Sequence, residues 1–570
     1  MGEIKMSYII GIDLGTTHST CGVYRDGRVE LIPNRLGKYL TPSVVSIDNK
    51  SQLVIGDIAK QRLVTHPEES VSTFKRHMGT SWSIKLGVEE FSATELSALV
   101  LRSLKEDAST FLNSEITRAV ISVPAYFNNK QREATIQAGE LAGLRVEAII
   151  NEPTAAAIAF GLHEKPEDTT FMVLDLGGGT FDISIMEYYD QILEVQATAG
   201  DNFLGGEDFT RVLIDFYLET HGLCFEKLTL QKREVIYTIM ENAKKELNEH
   251  ESIIIQPIFD IEQPFIITQK DYLRISSELL IKIKTIIKQA ILDSKLQVSE
   301  IEDLILVGGS ARLKIFKELT MKLFKRIPSA HVDPDLAIAT GASIQAALKD
   351  KNKELADVVL TDVSPHTFGI AIRNPNNPNQ SLYSPIIEKN TVIPVSRSEN
   401  YFPTERDQTS LLLRVFQGEN RLSDENFYLG ELLVKIPKGS AGFKGVDVRF
   451  SYDTNGVLDI DVKVLSTGAM HNKVILSGNT KLNALELQTT LNRLLKFKLH
   501  PREDEGNITL IATAEKLYTF ARGDLREQIS NNIKWFEGIL ETQDRKKVAT
   551  AAKEFAKFLV YVQEELNVFE

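Results

Sequence analysis

Two stretches of the chain repeat one pattern: an apolar run, then Asp-Leu-Gly, small residues and a threonine, then a second apolar run. The first is IIGIDLGTTHSTCGVY, residues 9–24, and the second is VLDLGGGTFDIS, residues 173–184. Apolar segments separated by a glycine-rich break read as two strands of a tight hairpin. The second copy gives up its side chains at Gly177, Gly178 and Gly179, in the middle of what otherwise reads as buried strand. The repetition argues for more than a turn, because bare backbone can touch what a side chain would hold away.

A phosphate is one such object. Backbone N–H groups at a glycine tip can point straight at its oxygens. Asp13 and Asp175 end the incoming strands, where a carboxylate can hold a hydrated Mg²⁺, and Thr16, Thr17 and Thr180 offer hydroxyls to phosphate or water. Two such tips, Gly15 to Thr17 and Gly177 to Thr180, facing each other would clamp a polyphosphate from both sides. A third glycine step follows the strand EDLILV: Gly308, Gly309 and Ser310, with Arg312 two residues on. It lets a planar base approach the backbone, with a guanidinium free to stack on it. Glu241, Lys244, Lys245 and Asn248 share one helix face, a set that suits either ribose hydroxyls or plain solvent. No GxGxxG is present, and the only Gly-Lys pair, Gly37-Lys38, is followed by Tyr39, so the dinucleotide and P-loop motifs are missing.

At 570 residues the chain needs several cores. Its net charge of −13 repels nucleic-acid backbones as a whole and leaves room for local basic pockets. Two cysteines, Cys21 and Cys224, far apart and without a CxxC, rule out a disulfide framework and suit a reducing cytoplasm. The N-terminus runs directly into strand, and the greasy LLIKIKTIIKQAIL is interrupted by lysines, so neither a leader nor a membrane span is expected.

Strands and helices alternate over 1–355, including the helix ATELSALVLRSLKEDASTFL and the strand RAVISVPAYF. The segment 356–364 moves from charge to a short apolar patch and reads as a linker. Residues 365–478 read as all-β: Val446, Val448, Phe450 and Tyr452 alternate, as do Leu458, Ile460, Val462 and Val464 after Asn455-Gly456, a strong hairpin signal. The stretch 479–570 reads as helical, with Leu487, Leu491, Leu494 and Leu495 at helix spacing.

In order, IGIDLGTT, VPAYFNNKQREAT, NEPTAAAIAFGL, DLGGGTFDIS, GGEDF, LVGGSARL and DPDLAIATGA, then DVVLTDVSP and IPV, resemble the DnaK family, the seventy-kilodalton heat-shock chaperones. The resemblance implies three parts: an actin-like (ribonuclease H-like, duplicated) α/β ATPase domain, a β-sandwich that binds extended peptide, and an α-helical lid. It implies an ATP-dependent chaperone with ATP/ADP and Mg²⁺, K⁺ being a further candidate. Carried over by position, Lys75, Glu152, Asp182 and Thr180 become the hydrolytic residues. Gly205, Gly206 and Asp335 join the nucleotide site, and Asp13 and Asp175 hold the metal through water. Pro124 and Arg132 become a switch pair, and Asp357, Val358, Val359, Leu360 and Asp362 the coupling linker. Ile370, Tyr401, Thr404, Leu411 and Leu413 become the peptide channel. From the residues alone, Lys75 would pass as a surface lysine and the channel residues as sandwich core.

Departures from the family pattern are specific. Outer-lobe segments are short, which argues against a common nucleotide-exchange factor. Glu147 and Ala148 replace basic residues, which points to a specialised J-domain co-chaperone. Lys245 stands for an arginine, His18 for Tyr or Asn, Thr361 for a leucine and Arg373 for an apolar residue. The pattern most resembles the HscC-type bacterial branch. Client polypeptides are the expected partners, with no nucleic acid and no membrane. Two alternatives stay open: a small-molecule kinase on the same scaffold, and a hydrolysis-dead nucleotide-gated adaptor.

Overall fold

A computed structural model describes residues 8–48, 52–161, 169–189, 192–258, 263–329, 332–350, 359–405, 408–437, 445–453, 456–476 and 501–566. The two repeated motifs are hairpins, Ile9–Asp13 with His18–Arg25 and Thr169–Leu176 with Phe181–Tyr189. Each sits in its own mixed sheet, and in each the first hairpin strand has a parallel neighbour on its other side: Arg118–Val123 in one, Asp303–Val307 in the other. Strands paired on both edges and covered on both faces must be apolar throughout. Accordingly all of IIGID and TTFMVLDL is buried.

Two alanine-rich helices, Glu152–Ala159 and Ala337–Lys349, lie between the sheets. Small side chains let them close up. A Cβ on Gly341 would stand 1.7 Å from the Ala155 carbonyl oxygen, a distance only glycine permits. One apolar cluster joins the sheets through these helices, with Ile9, Val120, Ala156, Val173, Val307 and Ala342 among its members. Each lobe keeps a larger core of its own.

Beyond the linker, two four-stranded antiparallel sheets pack face to face. One runs Ser381–Ile387, Phe368–Arg373, Ser410–Gln417, Phe427–Lys435, and the other Val395–Tyr401, Val446–Tyr452, Val457–Val464, Met470–Leu476. The expected alternation holds: the eight alternating apolar residues of the Val446–Tyr452 and Val457–Val464 strands are buried, as is Val457 at the turn. Gly456 takes a φ of 79° at their turn. Helices Glu505–Phe520, Gly523–Glu541 and Arg545–Glu565 form a bundle around Phe536 and Phe555, whose rings stack at 4.7 Å. Leu487, Leu491, Leu494 and Leu495 lie outside the described residues. Among the described residues no helix is long and apolar enough to cross a membrane.

The linker forms a strand. Val359–Val363 pairs parallel with Ile192–Asp201 and antiparallel with Val392–Ile393, so one sheet runs from the second lobe into the β-domain. Asp357 and Val358 lie outside the described residues.

Candidate nucleotide site and its link to the β-domain

The two hairpin tips touch. A Cβ on Gly178 would lie 2.3 Å from Thr17 Cγ2, and one on Gly179 2.6 Å from Thr16 Cγ2, so glycine is what allows the tips to face each other this closely. The amides of Gly206 and Glu207 donate to the carbonyls of Gly177 and Gly178 at 3.0 and 2.9 Å, seating the Gly205-Gly206 loop on the second tip. Gly308, at φ 82°, packs on the Leu176 carbonyl beside Asp175. A cleft runs between the tips from Asp13, Lys75 and Glu152 to Gly309 and Asp335. Through His18, Leu40 and Asp335 it meets a wider cavity of about 390 Å³.

At its floor, Lys75 Nζ and Glu152 Oε1 form an ion pair at 2.8 Å, both buried. Lys75 lies in a 3-10 turn, Phe74–His77, with its ammonium 5.6 Å from the Phe127 ring centroid. Asp13 accepts from Ser122 Oγ at 2.9 Å, and Asp182 accepts from the Tyr126 amide at 3.0 Å. Burial, then the nearby Glu152 charge, pushes Asp13 up to about 7 and Asp182 to about 8, and holds Asp175 well above the usual carboxylate range.

Four buried carboxylates thus face one buried ammonium, and among the described residues Asp175 Oδ2 and Asp182 Oδ2 have no hydrogen-bond partner. Such a cluster of oxygen donors with spare negative charge fits a hard cation. No three His, Cys, Asp or Glu side chains among the described residues close directly on one point.

The residues expected from sequence around the nucleoside gather less uniformly. Ser310 lies against Gly206, and Arg312 is forked between Asp333 Oδ1 at 2.6 Å and Asp335 Oδ2 at 2.8 Å, half exposed at the cleft edge. Glu241 accepts from Thr210 at 2.5 Å and pairs with Lys244 at 2.5 Å and Lys245 at 3.3 Å. Lys244 is buried and also donates to the Gly206 carbonyl, so it ties two helices together, whereas Lys245 is exposed. Asn248 caps the Lys314 amide at 2.9 Å. The glycine motifs do not reveal Arg76, which bridges the lobes by donating to the Gly179 carbonyl at 3.1 Å and pairing with Asp208 at 2.6 Å. They also miss Leu40 and Lys60, which line the wider cavity, because nothing in the spacing of an isolated leucine or lysine marks a cavity wall.

A polar relay leads from this floor to the linker. Arg132 donates to Asn151 Oδ1 at 2.7 Å and to the carbonyls of Ala125 and Phe127 at 3.1 Å, while Asn151 Nδ2 donates to Asp362 Oδ2 at 2.6 Å. Asn151 directly precedes Glu152, and the Pro124 carbonyl accepts from the Phe127 amide in the same turn. The β-domain adds its own contacts. Asn129 and Gln417 exchange hydrogen bonds at 3.4 Å, and Asp293 accepts from Lys389 at 2.6 Å and Asn390 at 3.1 Å. In the sandwich, Ile370 and Leu413 are buried, Tyr401 and Leu411 are partly buried in the same cluster, and Thr404 is exposed.

The family model described as Hsp70 protein matches residues 9–87 and 83–566. The chaperone protein DnaK of Thermotoga neapolitana is 36% identical over 545 residues, covering 92% of this chain and 89% of its own. Those of Thermosipho melanesiensis and Thermosipho africanus are 36% and 35% identical over 546 residues, with the same shares. The chain belongs to the Hsp70 family and is an ATP-dependent molecular chaperone.

Proposed function

We propose that ATP binds with its triphosphate between the two hairpin tips, and that its hydrolysis switches how the β-domain holds extended apolar peptide. The tip amides and the hydroxyls of Thr16, Thr17 and Thr180 take the phosphates; Gly308 to Ser310, Arg312, Glu241 and Lys245 take the nucleoside. Lys75 places a fixed positive charge where negative charge grows in phosphoryl transfer, and Glu152 and Asp182 orient the attacking water. Asp13 and Asp175 are the residues that would hold Mg²⁺ through water, and K⁺ is a second candidate for the same cluster. Bound there, the cation neutralises phosphate charge. The contact between the tips carries this reading, since it makes one cleft of two lobes.

In the nucleotide-bound state the linker strand stays paired in the second sheet and the β-domain stays docked. Loss of the γ-phosphate loosens the lobes, and the Asn151–Asp362 hydrogen bond passes the change to the linker. Coupling of this kind is reciprocal, so bound peptide accelerates hydrolysis. Ile370, Tyr401, Thr404, Leu411 and Leu413 form the peptide channel, with client polypeptides as occupants. We place the chain in the HscC-type branch, acting in the cytoplasm with a specialised J-domain partner. Support comes from Glu147, which occupies a family basic position and is paired with Arg118.

Peptide binding tests the reading. A labelled apolar peptide should bind more weakly and exchange faster with ATP than with ADP; equal behaviour in both nucleotides contradicts it. Single-turnover hydrolysis should release free phosphate, and transfer of the label to glycerol or sugar would favour a kinase instead.

A further inference from the structure

His366 belongs to the β-domain, three residues beyond the linker strand Val359–Val363, yet its ring reaches back to Tyr126 in the first lobe. Its Nε2 lies 3.2 Å from the Tyr126 carbonyl oxygen, and the two rings meet edge to face with centroids 4.7 Å apart. A carbonyl only accepts, so Nε2 carries the proton and Nδ1 is the bare nitrogen of a neutral imidazole. The amide of the same Tyr126 donates to Asp182 Oδ1 at 3.0 Å. One residue therefore has its N–H on a site carboxylate and its carbonyl on a histidine from the other domain.

The surroundings disfavour a charged ring. Arg132, on the helix Asn129–Leu141, and Lys389, in the turn before Val392–Ile393, both oppose a positive charge there. The acidic groups near Tyr126 are Asp182, Asp293 and Glu419. Each is already engaged: Asp182 by the Tyr126 amide, Asp293 by Lys389 and Asn390, and Glu419 by Thr367 at 2.8 Å. The ring itself is partly buried, and its recorded hydrogen bond is the one from Nε2. A proton added to the ring would make a partly buried cation facing the Arg132 and Lys389 charges, a state relieved when the domains separate.

We propose that His366 is a proton-sensitive positioning residue: as neutral imidazole it holds the β-domain on the Tyr126 backbone that steadies Asp182, and as imidazolium it lets the β-domain go. The inference rests on the nucleotide-switched docking described above and adds pH as a second input to it. Burial is the largest cause of a His366 pKa lowered to about 4 in the docked form, against 6.5 for a free imidazole. The docking contribution is then complete above pH 6.5 and is lost as pH falls toward 4. Between pH 7.5 and 5.5 this favours the undocked form by about tenfold.

The test uses the full chain, a fluorescein-labelled leucine-rich heptapeptide and a nonhydrolysable ATP analogue or ADP. In the wild type, the ratio of peptide Kd with the analogue to that with ADP should shrink up to about tenfold from pH 7.5 to 5.5. His366→Gln keeps an N–H donor without titrating and should hold one ratio at both pH values. Histidine NMR, with His366 assigned as the resonance missing from the variant, should give a pKa below 5 with the analogue and near 6.5 with ADP. A pH-blind ratio in the wild type, an equal loss in the variant, or one pKa in both nucleotides overturns the role of His366. A peptide affinity that ignores nucleotide even at pH 7.5 contradicts the switch itself, and this inference with it.

Discussion

Lys75 and Glu152 meet at 2.8 Å where water is excluded, and the worth of each depends on the other. Removing one partner of a buried pair leaves a naked charge, a loss of about 3–5 kcal/mol. Glu152→Gln keeps the shape and lowers that risk, so it isolates the chemistry. Its single-turnover hydrolysis should fall about 10²–10³-fold, the usual scale for one lost transition-state group, while ATP affinity stays within a few-fold. A Kd that collapses along with the rate would assign Glu152 to binding instead. Asp182 sets a pH dependence. Its folded pKa of about 8 lies above its unfolded value, so the folded chain holds the extra proton. Stability of the nucleotide-free protein should therefore fall as pH rises from 6 to 8, by up to about 1.4 kcal/mol per pH unit for such a group. Thermal unfolding should show this slope, Asp182→Asn should reduce it and leave the share of Asp13 and Asp175, and a slope unchanged by the substitution would refute the assignment. The glycine tips, Asp13 and Asp175 are legible in the sequence because their cause is local: a strand, a carboxylate, a turn without side chains. Lys75 is not, since one lysine in a short turn has no periodicity; only the family resemblance points to it. Nor is the Asp333 side of the Arg312 fork, which exists only once two distant loops meet.

Among elements, the linker strand departs most from a local reading. Apolar alternation marks the sandwich hairpins, and amphipathic spacing marks the helix Ala93–Leu112 at the bounds read from sequence. Nothing in the linker's own residues says that Val359–Val363 will pair parallel with Ile192–Asp201, because a parallel partner is chosen by tertiary contact rather than by the segment. Docking covers a sheet edge that would otherwise expose unpaired N–H and C=O groups. Asp362 fixes it by accepting from Asn151 at 2.6 Å. Asp362→Ala removes that acceptor far from the phosphate tips. Peptide should then no longer stimulate steady-state phosphate release, while the basal rate without peptide stays within about two-fold. Stimulation of wild-type size in this variant would take the relay out of the mechanism.

At the scale of the molecule, the second lobe, the linker and the β-domain share one sheet, and a polar path joins it to the cleft floor, so the proposed switch makes nucleotide state and docking two views of one equilibrium. Hydrogen exchange should find the amides of Val359–Val363 and Val392–Ile393 protected with ATP and released with ADP; equal protection in both would uncouple the sheet from the nucleotide. All of this depends on the cleft between the hairpins being the phosphate site. A crystal structure with Mg²⁺ and a nonhydrolysable ATP analogue measures that directly. The account predicts phosphate oxygens within hydrogen-bond reach of backbone amides on both the Leu14–Thr17 and Gly177–Thr180 tips, with Lys75 beside the γ-phosphate. A triphosphate bound by one tip alone, or outside the cleft, would contradict it.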